Sequence, residues 1–239
     1  MSDKYKYKRI LLKLSGEAFE GKTGKGLEIQ SFRKLALFLH KLHQESNVEL
    51  AIVIGGGNLF RGRNITNDDV DHATADYIGM LGTVMNSLAL QLKLEKLGSQ
   101  TRVMSSLPIV AVCEPFIRRK AIRHLEKGRI VILAGGTGSP FFTTDSAAAL
   151  KACELSCEII LKGSNIEGIF SADPKLDSNA VLYKKLNFQE ALEKGLMIMD
   201  STAFALCQKE NIPIVVFNLD NLDNIIKILK VEAVGSLIT

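Results

Sequence analysis

Short apolar runs alternate with helical patterns along this chain, and that alternation limits the fold more than any other feature. Runs rich in Ile, Val and Leu occupy residues 8–14, 48–54, 101–104, 108–113, 129–134, 158–162 and 213–217. Helical patterns fill 29–45, 69–97, 115–127, 145–156, 188–195, 200–210 and 221–230. The runs are apolar at consecutive positions, as strands covered on both faces must be. The order predicts an α/β fold, a three-layer α/β/α sandwich with a mostly parallel central sheet. Residues 234–239 read as a closing strand. The stretch 163–187 is the least regular and contains Asp173-Pro174, a turn signal, so it reads as a hairpin excursion over a ligand. No repeat or Pro-rich linker divides the chain, and one domain over 1–239 is expected.

With 46% of its 239 residues hydrophobic, the chain can fill a core of that kind. A formal net charge of +4 suits small anionic ligands and is too weak to argue for nucleic acid. No apolar segment approaches the roughly 20 residues of a membrane span. The first apolar run, Ile10-Leu11-Leu12, is too short for a secretory signal. A cytoplasmic protein without a membrane partner is expected. Cys113, Cys153, Cys157 and Cys207 suit that compartment. Cys153 and Cys157 share a helical pattern but have no His or second Cys pair beside them; they read as small core residues. His40 and His43 read as surface residues, and Lys4, Lys6, Lys8 and Arg9 as a solvated tail.

The chemistry sits at strand ends. Residues 135–145 read Gly-Gly-Thr-Gly-Ser-Pro-Phe-Phe-Thr-Thr-Asp, between the run at 129–134 and the helical start Ser146-Ala-Ala-Ala-Leu150. Glycines let backbone N–H groups approach a ligand. A helix start adds unpaired donors and a favourable dipole, so this is a place to hold an anion. Thr137, Thr143 and Thr144 add hydroxyls. Lys13-Leu-Ser-Gly16, Gly55-Gly-Gly-Asn58 and Lys162-Gly-Ser-Asn165 close other strands in the same manner. In open α/β sheets, ligands bind outside the carboxyl ends of the strands, so these loops would line one long crevice.

One motif misleads. Gly16-Glu-Ala-Phe-Glu-Gly21-Lys22-Thr23 matches the P-loop pattern. Gly24, Lys25 and Gly26 then follow, a poor helix start, and Glu17 and Glu20 would put carboxylates inside a phosphate cradle. The match reads as coincidence. Gly55-Gly-Gly-Asn-Leu-Phe60 fails the dinucleotide pattern because Phe60 stands at the third glycine.

Lys13 and Lys162 each interrupt or end an apolar run. An interior lysine is expensive unless its charge is used. Phosphoryl transfer needs positive charge about the transferring group and little covalent chemistry from the protein. Asp145 can be read as a helix N-cap or as the group that holds these lysines.

Taken together, Lys13-Leu-Ser-Gly16, Gly55-Gly-Gly-Asn-Leu-Phe-Arg61, Asp76 with Met80-Leu-Gly-Thr-Val-Met-Asn86, Thr137-Gly-Ser-Pro-Phe-Phe-Thr-Thr-Asp145, and Lys162 through Phe170-Ser-Ala-Asp-Pro174 resemble the bacterial UMP kinases of the amino acid kinase superfamily. The resemblance runs in order from Lys8 to Thr239. It implies the amino acid kinase fold, with acceptor mainly on the N-terminal part and donor on the C-terminal part. It also implies the reaction ATP + UMP → ADP + UDP within pyrimidine nucleotide biosynthesis, with Mg²⁺ accompanying ATP and no metal ligands from the chain.

By position, Lys13, Ser15 and Gly16 would meet the ATP phosphates, with Gly57 and Arg61 on the ATP side. Ser164, Phe170 and Asp173 would line the adenine nucleotide site. Gly56 would face UMP, Asp76 would bind its ribose, and Thr137, Gly138, Ser139, Pro140, Phe141, Phe142, Thr143 and Thr144 would embrace it. Phe141 and Phe142 can equally be read as loop anchors. Lys13 and Lys162 would stabilise the transferring phosphoryl, and Asp145 would orient them.

The chain departs from the family in places. Gly163-Ser164 stands where Ala-Thr is common, and Ser139 replaces a frequent Asn. Family members are commonly homohexamers with GTP and UTP as effectors. Arg102 and Arg129 match basic positions of the GTP site. Glu95 and Arg118 fall where some members have histidine and an aromatic residue, which leaves the GTP response open.

Overall fold

A computed structural model describes residues 5–20, 26–60, 71–174, 176–177 and 179–239. The strands are β1 (Arg9–Leu14), β2 (Glu49–Ile54), β3 (Thr101–Ser105), β4 (Glu114–Pro115), β5 (Ile130–Ala134), β6 (Ile159–Ser164), β7 (Ile169–Phe170), β8 (Leu182–Tyr183), β9 (Lys185–Leu186), β10 (Ile214–Asn218) and β11 (Ser236–Ile238). The helices are α1 (Ile29–Glu45), α2 (His72–Lys96), α3 (Arg118–Glu126), α4 (Thr144–Leu155), α5 (Phe188–Glu193), α6 (Ser201–Glu210) and α7 (Asp223–Leu229). Nine strands form one sheet in the order β4-β3-β5-β2-β1-β6-β10-β11-β9. Within that sheet only the β10–β11 pairing is antiparallel. The mostly parallel α/β sandwich is therefore the observed architecture.

Alternation along each strand divides the core into two layers. Ile10, Leu12 and Leu14 of β1 pack with Phe32, Leu39, Leu90 and Ile225 from α1, α2 and α7. Leu11 and its neighbours Ala51, Val53 and Ile160 face α3 to α6 instead. On that second face α4 presents Ala148, Ala149 and Ala152, all fully buried. Such small side chains let the helix lie close to β1 and β6. Its N-terminus is thereby set beside their carboxyl ends.

Several sequence expectations need correction. Residues 108–113 do not form a strand; the pairing with β3 is made by Glu114 and Pro115, after a turn around Ile109. Val110 and Val112 in that stretch are exposed, so its apolar character marks a surface segment instead of a core strand. Arg9 is no part of a solvated tail: it opens β1 and pairs with Glu49. His40 and His43 are half-buried, and His40 Nδ1 lies 2.8 Å from Ser99 Oγ. The stretch 163–187 does contain a hairpin, in which Ile169 pairs with Tyr183 and Phe170 with Leu182.

Candidate active site

Parallel pairing of β1 with β6 places Lys13 and Lys162 directly opposite one another. Both follow the alternation that sends Leu11 and Ile160 to the α4 face, so both reach toward the start of α4. There Asp145 meets them. Lys162 Nζ donates to Asp145 Oδ2 at 2.6 Å, and Lys13 Nζ forms an ion pair with Oδ1 at 2.7 Å. All three side chains are largely buried, with 12 to 16% of their surface exposed. Lys162 also donates to the Ile198 carbonyl at 2.6 Å.

Burial opposes ionisation of Asp145, but the two ammonium groups outweigh it and hold the carboxyl below its ordinary range. Burial also lowers Lys162, and the like charge of Lys13 adds to this while Asp145 opposes it. Asp145 is not the cap of α4. Thr143 is: its hydroxyl accepts from the amides of Asp145 and Ser146, which leaves Asp145 in the first turn with its carboxylate turned to the two lysines.

Two cavities adjoin along Lys162 and Ser164. One, of about 530 Å³, is lined by Lys13, Ser15, Lys34, Lys162, Ser164 and Leu219. The other, of about 570 Å³, is lined by Lys162, Ser164, Phe170, Asp173, Met197 and Ile198. Ser164, Phe170 and Asp173 therefore share one chamber. Ser15 caps the short 3₁₀ turn Gly16–Phe19. Gly16 sits so close to the second-strand loop that a Cβ there would lie 2.8 Å from Gly57 N and from the Gly55 carbonyl. Arg61 lies outside the described residues, as do Gly21, Lys22 and Thr23 of the P-loop-like stretch.

Gly56, Asp76 and residues 137–144 gather around α2, and none of them lines either cavity. Gly56 packs on that helix so tightly that a Cβ would stand 2.4 Å from the Gly79 carbonyl. Asp76 accepts a hydrogen bond from the Phe141 amide at 2.7 Å, which ties the loop to α2. Thr137 and Ser139 bond to each other, and Gly138 N donates to the Gly135 carbonyl, which builds a compact turn before Pro140. Phe141 adopts a left-handed backbone (φ 69°) and is 76% exposed; Phe142 is 49% exposed. Neither ring anchors the loop in the core. The anchor is the Phe141 amide.

Sequence reasoning passed over several supports. Asn58 and Asn86 form a buried reciprocal amide pair, and Asn86 also donates to the Gly55 carbonyl at 2.7 Å. Thr83 accepts from Gly135 N at 2.8 Å. Asp200 joins the network through Thr143 and Ser146. The only local signal for Asp200 was its place before a helical pattern, which reads as an ordinary cap.

Two buried cations bridged by a carboxylate, at the carboxyl edge of a parallel sheet and beside two adjoining cavities, form a site that can stabilise a transferring phosphoryl group. A family model for the amino acid kinase family matches residues 8–218, and the chain belongs to that family. Among solved structures it is similar to UMP kinase from Bacillus anthracis, with 39% identity, 98% of this chain and 96% of that one covered, and a TM-score of 0.93. It is also similar to UMP kinase from Ureaplasma parvum, at 34% identity, 98% and 99% coverage and a TM-score of 0.91. A uridylate kinase from Archaeoglobus fulgidus matches at 26% identity, 96% and 99% coverage and a TM-score of 0.73.

Proposed function

We propose that this chain is a UMP kinase, transferring the γ-phosphoryl group of ATP to UMP as one step of pyrimidine nucleotide synthesis. The observation that carries the reading is the Lys13–Asp145–Lys162 cluster, whose lysines line two adjoining cavities. The acceptor is itself a phosphate, so no strong base is required. The lysines neutralise charge that develops on the transferring group, and Asp145 keeps them apart and aimed. ATP takes the chamber of Ser164, Phe170 and Asp173, with Ser15, Gly16, Gly57 and Arg61 toward its phosphates. UMP lies against Gly56, Asp76 and residues 137–144. Thr144 is the better placed hydroxyl donor for the UMP phosphate, since the proton of Thr143 already goes to Asp200.

Mg²⁺ would accompany ATP and offset the charge of its phosphates. Each Asp145 oxygen already faces an ammonium group, so that carboxylate is poorly suited as a metal ligand. The chain works as one kinase domain in the cytoplasm; no helix among the described residues is long and apolar enough to cross a membrane. A homohexamer is the assembly that the family resemblance implies, and the exposed stripe Tyr77, Leu81, Met85 and Leu92 on α2 is a surface that a partner copy would cover. GTP and UTP are the effectors to examine, GTP at the face that holds Arg102 and Arg129.

The test is ADP release with UMP, and with aspartate, acetylglutamate and carbamate as rival acceptors. Turnover with UMP alone supports the reading, and its absence overturns it. Native mass gives the assembly, and titration with GTP and UTP gives the effector response.

A further inference from the structure

The segment 196–200, between α5 and α6, touches both halves of the cluster. Its Ile198 carbonyl accepts from Lys162 Nζ at 2.6 Å. The Asp200 carboxylate receives the start of α4: Ser146 Oγ donates to Oδ1 at 2.8 Å, Ser146 N to Oδ2 at 3.1 Å, and the Thr143 hydroxyl to Oδ2. Asp200 also caps its own helix, accepting from Ala203 N at 2.9 Å.

A cap for α6 needs only that last bond. Thr143 already caps α4, so the contacts from Asp200 are additional to what either helix requires. A threonine hydroxyl has a single proton, and this one goes to Asp200 while its lone pairs accept from Asp145 N and Ser146 N. Asp200, Thr143 and the Asp145 amide thus form one continuous chain of hydrogen bonds. It ends at the residue that bridges Lys13 and Lys162. Leu196, Met197 and Ile198 meanwhile wall the chamber assigned to ATP.

We propose that Asp200 is a positioning residue for phosphoryl transfer: it fixes the α4 start that carries Asp145 and, through its own segment, the carbonyl that holds Lys162. The role rests on the reading of the chain as a UMP kinase. Small displacements of catalytic groups lower turnover steeply, by about 10²-fold for 1 Å. The loss should therefore fall on kcat.

Asp200→Asn and Asp200→Ala, assayed beside the wild type, test this. The expected result is a kcat lower by about ten- to a hundredfold, with KM for UMP and ATP within about threefold. The charged groups that face Lys162 are Asp145 from α4, Lys13 from β1 and Asp200 from this segment. Asp200→Asn removes one of the two carboxylates that favour the ammonium form, so the alkaline limb of the kcat–pH profile should move to lower pH. A folded Asp200→Asn with wild-type kcat and an unmoved limb overturns the proposal, even if its melting temperature falls. Should Asp200→Ala fail to fold, the isosteric Asp200→Asn decides alone. Wild-type enzyme that fails to turn over UMP would remove the functional reading, and this role with it.

Discussion

Lys13 and Lys162 are register partners on adjacent parallel strands, so two ammonium groups leave the same face of the sheet side by side. Nothing in backbone pairing favours that arrangement, and like charges opposite one another are destabilising. It persists because Asp145 stands between them at 2.7 and 2.6 Å. An anionic ligand would find the site already charged, desolvated and aimed.

Lys162→Met should lower kcat by orders of magnitude while UMP binding remains measurable, since none of the residues assigned to UMP shares a cavity with Lys162. Steady-state kinetics with equilibrium UMP binding checks this. A near-wild-type rate would remove Lys162 from its role.

Asp145→Asn should leave two buried ammonium groups without their counter-charge. Breaking a buried pair in this way is destabilising by about 3–5 kcal/mol. Adding Lys162→Met should recover part of that loss, as measured by urea unfolding. Simple additivity of the two changes would show that the groups are not coupled.

Burial lowers the pKa of His43 below 6.5, and the nearby His40 adds to this, while a hydrogen bond to the Gly128 backbone opposes it. The unfolded chain therefore binds the proton more readily than the folded one just below pH 6.5. Stability present above that pH should decline as pH falls toward the folded-state value. His43→Gln should flatten the pH dependence of the unfolding free energy in that window. An unchanged slope would refute it.

Gly56→Ala would drive a methyl group to 2.4 Å from the Gly79 carbonyl, a backbone atom that cannot swing aside. Overpacking of this kind costs about 1–3 kcal/mol. KM for UMP should rise with it, because the displaced loop borders the acceptor side. Thermal melts and UMP kinetics on the same variant check both effects.

Much of the architecture was legible because it is written in local pattern. Apolar runs such as 129–134 and 158–162 lie within β5 and β6 to a residue or two. Where the pattern failed, at 108–113, apolar residues were turned outward, and periodicity alone cannot tell an exposed apolar segment from a buried one. The Gly-rich loops at 55–58 and 135–138 were equally legible, since they use a residue type with few other reasons to cluster at strand ends.

The chain by itself determined the α/β order, the anion-binding loops and the lysines whose charge had to be used. These follow from period, composition and the desolvation of charge, which act over a few residues. The tertiary structure alone decided that Lys13 faces Lys162, and that Asp200 and the Asn58–Asn86 pair brace the site. Those facts depend on strand register and on hydrogen bonds between residues 28 to 57 positions apart. Sequence spacing carries no record of such pairings; only the packing of α4 and α2 against the sheet brings the partners within reach.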